Sequence, residues 1–250
     1  MVLAWWSDGT PLALRHAQGE RGIAPCYDEG QMAPHTPREI IELLRQQYGE
    51  LPWRPHGDPM TELVLTILSQ NTSDANSGRA FARLRLRFPT WEALLLGADP
   101  REIEEAIRVG GLARIKAPRI KAILEEVWQR LGSFDLSFLK EMPLAEAKAW
   151  LRSLPGVGPK TAACVLVFAL GMPALPVDTH VYRVAWRLGL VPRQAGAEKA
   201  HELLEGMLAP EEVYPFHMSL IRHGRRVCRA QRPLCPQCPL APRCPSAVLQ

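Results

Sequence analysis

The sequence has no apolar run long enough to cross a membrane, because Gly171 and Pro173 interrupt the stretch that begins at Val165. Its first residues, MVLAWWSDGT, lack the basic start, apolar segment and cleavage site of a secretory signal. No internal repeat, low-complexity tract or period-two strand pattern occurs along the chain. We therefore expect a cytoplasmic protein that does not act on membranes and contains little or no β-structure.

Acidic residues are absent from His217 to Gln250, although this segment is rich in arginine. The arginines are Arg222, Arg225, Arg226, Arg229, Arg232 and Arg243. The whole chain carries a net charge of +4, so this +6 segment leaves about −2 for all other residues. A basic block on a near-neutral body indicates that one face contacts a polyanion, and a solvated tail is the alternative.

Helical signals fill the middle of the chain, and 47% of its residues are apolar, which is enough for a substantial core. Thr36 followed by Pro37 predicts a helix start, and the stretch from Thr61 to Leu68 predicts a buried helix. Prolines such as Pro118 at helix starts and glycines at helix ends predict further short helices. Their expected ranges are 75–87, 91–96, 100–108, 117–131 and 143–152.

These patterns predict an all-α fold with short connections between helices. Residues 1–33 carry no sustained helical period and are expected to form a poorly ordered extension. Cys26 lies alone in this extension and is expected to be a plain thiol, whereas Cys164 lies within an apolar helix and is expected to pack there.

The sequence Leu-Pro-Gly-Val-Gly from Leu154 to Gly158 precedes Lys160, which lies in the first turn of an apolar helix. The two glycines leave backbone amides uncovered beside a helix N-terminus, so the turn can hold a phosphate. A tight turn between packed helices is the alternative. The helix field and burial both favour a neutral amine, so we expect a lowered pKa for Lys160 and a nucleophile able to form a Schiff base. A surface lysine that pairs with phosphate is the alternative.

Three further side chains are candidates for function. Asp178 begins the next helix and is an excellent N-cap, so a chemical role requires it to face the same cavity as Lys160. Gln70 follows a buried helix, where nothing local demands a glutamine. Leu112 follows two glycines in a turn, a position that by itself is more typical of a core residue than of a wedge.

Four cysteines lie within seventeen residues near the C-terminus: Cys228, Cys235, Cys238 and Cys244. In an intracellular protein this crowding favours metal ligation over disulfides. Only Cys235 and Cys238 have the spacing of a zinc knuckle, whereas an iron–sulfur cluster also takes four thiolates in a larger cage. The spacing therefore favours a cluster over zinc, although it matches neither common ferredoxin pattern.

Together these motifs resemble the endonuclease III family, the helix-hairpin-helix DNA glycosylases with a [4Fe–4S] cluster, from about Thr36 to Cys244. The matching motifs are LPGVGPKTA, VDTHVYR and the four cysteines. The resemblance implies two helical domains that flank a DNA-binding cleft. One is a six-helix domain with the hairpin over 56–173, and the other is a cluster domain made of 34–55 plus 174–250.

The resemblance also implies residue roles, with Lys160 as the nucleophile and Asp178 as the catalytic aspartate. Gln70 is expected to fill the gap left by an extruded base, and Leu112 to insert into the duplex. The cysteines Cys228, Cys235, Cys238 and Cys244 are expected to hold the cluster. The other expected DNA contacts are Leu154, Gly156, Val157, Gly158, His180, Arg229 and Arg232, the last being the strongest phosphate candidate.

The function implied is that of a bifunctional DNA glycosylase/AP lyase in base excision repair, which acts as a monomer on double-stranded DNA. It would remove damaged, chiefly oxidised, pyrimidines through a Schiff base and β-elimination. The segment Leu51 to Arg54 is similar to the adenine-specific mismatch glycosylases, but Leu65 stands where they carry a catalytic glutamate. A monofunctional or mismatch-directed glycosylase and a non-catalytic DNA-binding protein are the alternatives.

Overall fold

A computed structural model describes residues 35–248, and every regular element in that range is a helix. No helix among these residues is long and apolar enough to cross a membrane. The predicted all-α class is therefore confirmed for this part of the chain. The expectations for residues 1–33, including Cys26, lie outside the described residues.

The α-helices of residues 35–248, in chain order, are α1 Pro37–Tyr48, α2 Pro59–Ser69, α3 Asp74–Arg87, α4 Trp91–Gly97, α5 Pro100–Ile107, α6 Ala113–Leu131, α7 Leu144–Arg152, α8 Pro159–Cys164, α9 Thr179–Arg187, α10 Gly196–Glu205 and α11 Val213–Arg226. A π-helical segment, Val165–Ala169, continues α8 directly. Short 3-10 turns lie at Arg108–Gly110, Ser137–Glu141, Arg193–Ala195, Pro210–Glu212, Cys235–Gln237 and Ala241–Arg243.

The first helix begins where the sequence predicts. The Thr36 hydroxyl oxygen accepts a hydrogen bond from the Glu39 backbone N–H at 3.3 Å, and the Glu39 carboxylate accepts one from the Thr36 N–H at 2.7 Å. Pro37 occupies the first helical position, where a missing N–H costs nothing. This reciprocal capping satisfies two otherwise unpaired donors at the start of α1.

The start of α6 differs from the prediction. The helix begins at Ala113, so Pro118 lies inside it rather than at its start. Leu112 adopts a left-handed backbone with φ of 52°, which turns the chain into the helix several residues earlier than the proline signal indicates. The early start places Lys116 in the first turns of α6, where its side chain is almost completely buried.

Buried apolar side chains form two clusters. The first cluster contains residues of α2 to α8, and the second contains residues of α1 and of α9 to α11. The π-helical segment contributes to both, since Val165 packs in the first cluster while Val167 and Phe168 pack in the second. The hairpin helix therefore connects the two cores, and the predicted domain limits near 56 and 173 stay a prediction.

The segment between α1 and α2 is attached to the end of this helix. The Trp53 indole N–H donates to the Val167 carbonyl at 2.7 Å, and the His56 backbone N–H donates to the Phe168 carbonyl at 3.1 Å. The His56 ring also stacks on Phe168, with the ring centroids 4.6 Å apart. These carbonyls belong to the last turn of the helix, where no donor within the helix follows, and the contacts fix His56 beside the cavity described next.

Candidate active site and DNA-binding surface

One open cavity of about 970 Å³ brings the main candidate residues together. Its walls come from α2 and α3 on one side, α8 and its π-helical extension, and α11 on the other side. Lys160 and Asp178 both line it. The geometric condition set for a chemical role of Asp178, that it face the same cavity as Lys160, is therefore met.

The electrostatic setting of Lys160 differs from the prediction. Burial acts to lower the pKa of the ammonium, but contact with Cys164 and the nearby Asp178 carboxylate outweigh it, so the pKa lies above its usual value. The expected lowered pKa is wrong for the protein without DNA, because the sequence shows the helix terminus but not the acidic groups that fold against it. The amine must therefore pass its proton to a base before it attacks carbon.

Asp178 has a structural role as well as a place in the cavity. Its Oδ1 accepts hydrogen bonds from the His180 and Val181 backbone N–H groups, both at 2.8 Å, and so caps α9. Both bonds use Oδ1, which leaves Oδ2 available for other partners. The N-cap interpretation is confirmed, and it is compatible with a second role in chemistry.

The hairpin has the backbone geometry that the glycines indicate. Gly156 has a φ of +70°, which disfavours any other residue, and a Cβ added there would lie 2.3 Å from the Arg119 Nε, so Arg119 would have to move. Leu154 and Val157 are buried in the first cluster. Any DNA contact at these two residues must therefore come from the backbone, as a phosphate-binding turn requires.

Gln70 is held in place by groups that the sequence did not indicate. Its Oε1 accepts from Arg119 Nη1 at 2.9 Å, and its Nε2 donates to Thr161 Oγ1 at 3.3 Å. Arg119 therefore connects Gln70 to the hairpin at Gly156. No local motif marks Arg119, and only the fold shows that it positions both features.

A buried ammonium connects the turns that carry Gln70 and Leu112. Lys116 Nζ donates to the Leu68 carbonyl at 2.6 Å, to Thr72 Oγ1 at 2.8 Å and to the Gly110 carbonyl at 3.1 Å. The first two groups flank Gln70 in sequence, and the third precedes Leu112. Leu112 itself is 48% exposed, so it is available to insert into a duplex and is not a core residue.

The basic C-terminal block divides into two sets. Arg222 donates to the Tyr48 carbonyl at 2.9 Å, and Arg225 pairs with Asp74 at 2.8 Å. Arg243 likewise pairs with Glu39 at 2.6 Å. These three arginines bind protein groups. The prediction that the basic block contacts a polyanion therefore applies to its other three arginines.

Arg229 and Arg232 are exposed on the loop between the first two C-terminal cysteines. Arg187 of α9 holds this loop by donating to the Arg229 carbonyl at 2.7 Å and to the Ala230 carbonyl at 3.0 Å. His180, also expected to contact DNA, is half-buried at the start of α9. The loop is thus fixed by its backbone, and Arg229 Nε also donates to the Arg226 carbonyl at 3.1 Å, which leaves Arg232 and the terminal nitrogens of Arg229 to contact phosphate.

The thiols of the four C-terminal cysteines are free and line one cavity of about 400 Å³. Within residues 35–248, no three Cys, His, Asp or Glu side chains converge closely enough to bind one metal ion. A shared cavity with separated thiols fits the larger cage of a four-thiolate iron–sulfur cluster. Burial raises the pKa of Cys238 to about 11, so a bound cationic centre is needed to hold the thiolate form.

Comparison with known proteins places these features in a family. Residues 64–210 match the model described as HhH-GPD superfamily base excision DNA repair protein. Endonuclease III of Thermotoga maritima is 35% identical over 208 residues, which cover 83% of this chain and 89% of that protein. The chain belongs to the endonuclease III family. The predicted family, fold and DNA glycosylase class are confirmed by this membership.

Two further matches are with a solved structure of endonuclease III and with a plant protein. A solved structure of a trapped covalent intermediate of endonuclease III with DNA has a TM-score of 0.73 and 30% identity, and the match covers 84% of this chain and 94% of that one. The Arabidopsis thaliana protein At3g47830 is 42% identical over 163 residues, 65% of this chain, and the match spans only 55% of the plant protein. The similarity does not test the roles of single residues, which stay predictions.

Proposed function

We propose that this member of the endonuclease III family is a bifunctional DNA glycosylase/AP lyase that removes oxidised pyrimidines from double-stranded DNA. The observation that carries the proposal is the placement of Lys160 and Asp178 on one cavity. DNA binding alone does not require a half-buried lysine that shares a cavity with two carboxyl groups, Asp178 and Glu62. The monomeric state and the intracellular location remain predictions.

Binding begins with extrusion of the damaged nucleotide into the cavity, since the sugar carbon of a stacked base cannot be reached. Gln70 and Leu112 fill the gap in the duplex, and the Lys116 ammonium keeps their turns in fixed register. The hairpin amides and Arg232 hold phosphates without reading the base sequence. These contacts offset the loss of stacking and pairing.

The chemical step uses the Lys160 amine as a nucleophile at the sugar C1′. The Asp178 carboxylate accepts a proton from the Lys160 ammonium, which the raised pKa of that ammonium makes necessary. The amine then forms a bond to C1′ while the bond from C1′ to the base breaks. The C1′–O4′ bond of the sugar then opens, with the proton lost from the nitrogen compensated by one gained at O4′, and this gives the Schiff base. Loss of a proton from C2′ and departure of the 3′ phosphate complete a β-elimination, which cuts the strand on the 3′ side.

The thiols of Cys228, Cys235, Cys238 and Cys244 would hold a [4Fe–4S] cluster, which supplies a rigid cross-link between the segments that carry them. Arg187 lies beside this set, with its Nη1 3.5 Å from Cys228 Sγ. The same side chain holds the loop with Arg229 and Arg232. The cysteine cage and the phosphate-binding loop are therefore one structural unit.

A panel of duplexes tests the proposed function, with base release and strand cleavage scored separately. The panel contains thymine glycol, 5-hydroxycytosine, a mismatch and a preformed abasic site. We expect release of the oxidised pyrimidines and cleavage at the abasic site. Base release without cleavage would favour the monofunctional alternative, and DNA binding with neither activity would favour the non-catalytic one.

The Asp178→Asn substitution separates capping from chemistry. An asparagine oxygen caps a helix as well as a carboxylate does, so the free energy of unfolding should change by less than about 1 kcal/mol. Loss of the proton acceptor should slow both base release and abasic-site cleavage by about 10²-fold or more. The measurements are single-turnover rates and urea denaturation. Wild-type rates in the variant would leave Asp178 with capping alone.

A further inference from the structure

The cavity contains a carboxyl group that no step above uses. Glu62 is the single charged residue of α2, and it is only 5% exposed. It lines the same cavity as Lys160, one helical turn before Thr66. Leu65, which stands where the adenine-specific mismatch glycosylases carry their catalytic glutamate, lies one turn further along α2 than Glu62.

One oxygen of this carboxyl group has no hydrogen-bond partner. Oε1 accepts from the Thr66 hydroxyl at 3.1 Å, whereas Oε2 is buried and unpartnered. The His56 Nδ1 lies 3.4 Å from Oε2, within reach of an ion pair but without the alignment of a hydrogen bond. A buried polar atom without a partner costs about 1–3 kcal/mol, which indicates that a ligand supplies the partner.

The setting favours a carboxyl group that keeps its proton. Burial raises the pKa of Glu62, and the opposing effects of His56, Thr66 and Lys160 are smaller. The other titratable groups that line the cavity are Cys164 on α8, Asp178 before α9, Asp74 on α3, and His217 and Arg225 on α11. Asp74 and Arg225 pair with each other. The groups that can act on a ligand in the cavity are therefore the other ones.

These other groups are poorly suited to give a proton to a bound base. His217 donates from Nδ1 to the Pro176 carbonyl at 2.8 Å, and burial lowers its pKa to about 4, so it is neutral near pH 7. Its other nitrogen then carries no proton. Asp178 already caps α9 and receives the proton of Lys160 in the proposed mechanism. Glu62 is therefore the candidate acid that remains. It lies on α2, the wall of the cavity that carries no other charged residue.

We propose that Glu62 is the acid that hydrogen-bonds the extruded base through Oε2 and protonates it as it leaves. This inference rests on the proposed glycosylase function. As the bond from C1′ to the base breaks, its electron pair stays on the base, and the Glu62 proton moves to an acceptor oxygen or nitrogen on that base. Glu62 is left as a carboxylate, which the neighbouring His56 stabilises when protonated. The ligand chemistry is a damaged base with an acceptor at the edge that faces α2.

The Glu62→Gln substitution tests the assignment, because glutamine keeps the size and a hydrogen-bond donor but cannot transfer a proton. Single-turnover release of thymine glycol should slow by about 10²-fold or more. Cleavage of a preformed abasic site should stay within about threefold of wild type, since no base remains to be protonated. Retained cleavage also shows that the variant is folded and binds DNA.

The pH dependence distinguishes a proton donor from a packing residue. Base release by the wild type should fall as the pH rises through the Glu62 pKa, because only the protonated form acts. The Glu62→Gln variant should lose this decline, while the exposed control Glu42→Gln should keep the wild-type profile and rate. Equal base release by wild type and Glu62→Gln would overturn the inference alone. A wild type inactive on both the lesion and abasic duplexes would contradict the proposed function itself.

Discussion

Replacement of Lys160 with alanine is expected to abolish the covalent complex that borohydride traps between this protein and DNA. Borohydride reduces a Schiff base to a stable amine, so trapping requires a primary amine at the sugar carbon. Lys160 is the single lysine on the cavity wall of the described residues. We therefore expect trapping on abasic and thymine glycol duplexes to fall by at least about 10³-fold.

The substitution should leave the fold intact, which makes the result interpretable. Lys160 lies in the first turn of α8, where a positive charge opposes the helix dipole, so its removal relieves an unfavourable interaction that offsets the lost contact with Cys164. Lys199→Ala is the matched control, because that side chain is 61% exposed on α10 and pairs with the exposed Glu202. Trapping of Lys160→Ala at the level of Lys199→Ala would show that another amine is the nucleophile.

The sequence predicts the site well wherever the chemistry is local in the chain. The glycine turn, Lys160 and the Asp178 cap lie within about two dozen residues, and each has a recognisable backbone requirement. The structure adds that the lysine and the aspartate line one cavity. Their spacing alone did not require this, because it depends on how the chain returns after the π-helical segment.

The features that the sequence did not predict depend on contacts between distant segments. The Lys160 pKa is raised because Cys164 contacts it and because Asp178 folds beside it after the π-helical segment. Arg119 joins Gln70 to the hairpin through space, and no local motif in the sequence marks it. A lone glutamate within an apolar helix was a signal for Glu62, and it was available in the sequence.

The function of the arginine-rich C-terminal segment also depends on contacts with distant segments, which the sequence does not show. Six arginines without acidic neighbours indicate a polyanion-binding block, yet Arg222, Arg225 and Arg243 pair with groups from α1, α3 or their flanks. Local charge counts do not include partners from elsewhere in the chain. Arg226 lies over the Tyr48 ring, 5.6 Å from its centroid, so the DNA-contact prediction rests on Arg229 and Arg232, the exposed arginines of the loop between the first two cysteines.

Purified protein is expected to be yellow-brown and to contain about four irons and four sulfides per chain. Replacement of Cys238 with alanine should remove the colour and the iron, because Cys238 is one of the four thiols on the cysteine cavity. Cys164→Ala is the matched control, since that buried cysteine lies on the other cavity and should leave the iron content unchanged. Colourless wild-type protein with one zinc per chain would contradict the assignment.

Loss of the cluster should also weaken DNA binding, and the path of that effect is visible in the structure. Arg187 connects α9 to Cys228 and to the loop with Arg229 and Arg232, so a cage without its metal centre leaves the loop unsupported on one side. We expect the affinity of Cys238→Ala for a duplex to fall at least about tenfold, with a shallower dependence on salt, because phosphate contacts are lost. The affinity of an Arg232→Ala variant that retains its iron gives the contribution of the loop charge alone. If iron-free protein bound DNA as tightly as wild type, the cluster would have no part in positioning this loop.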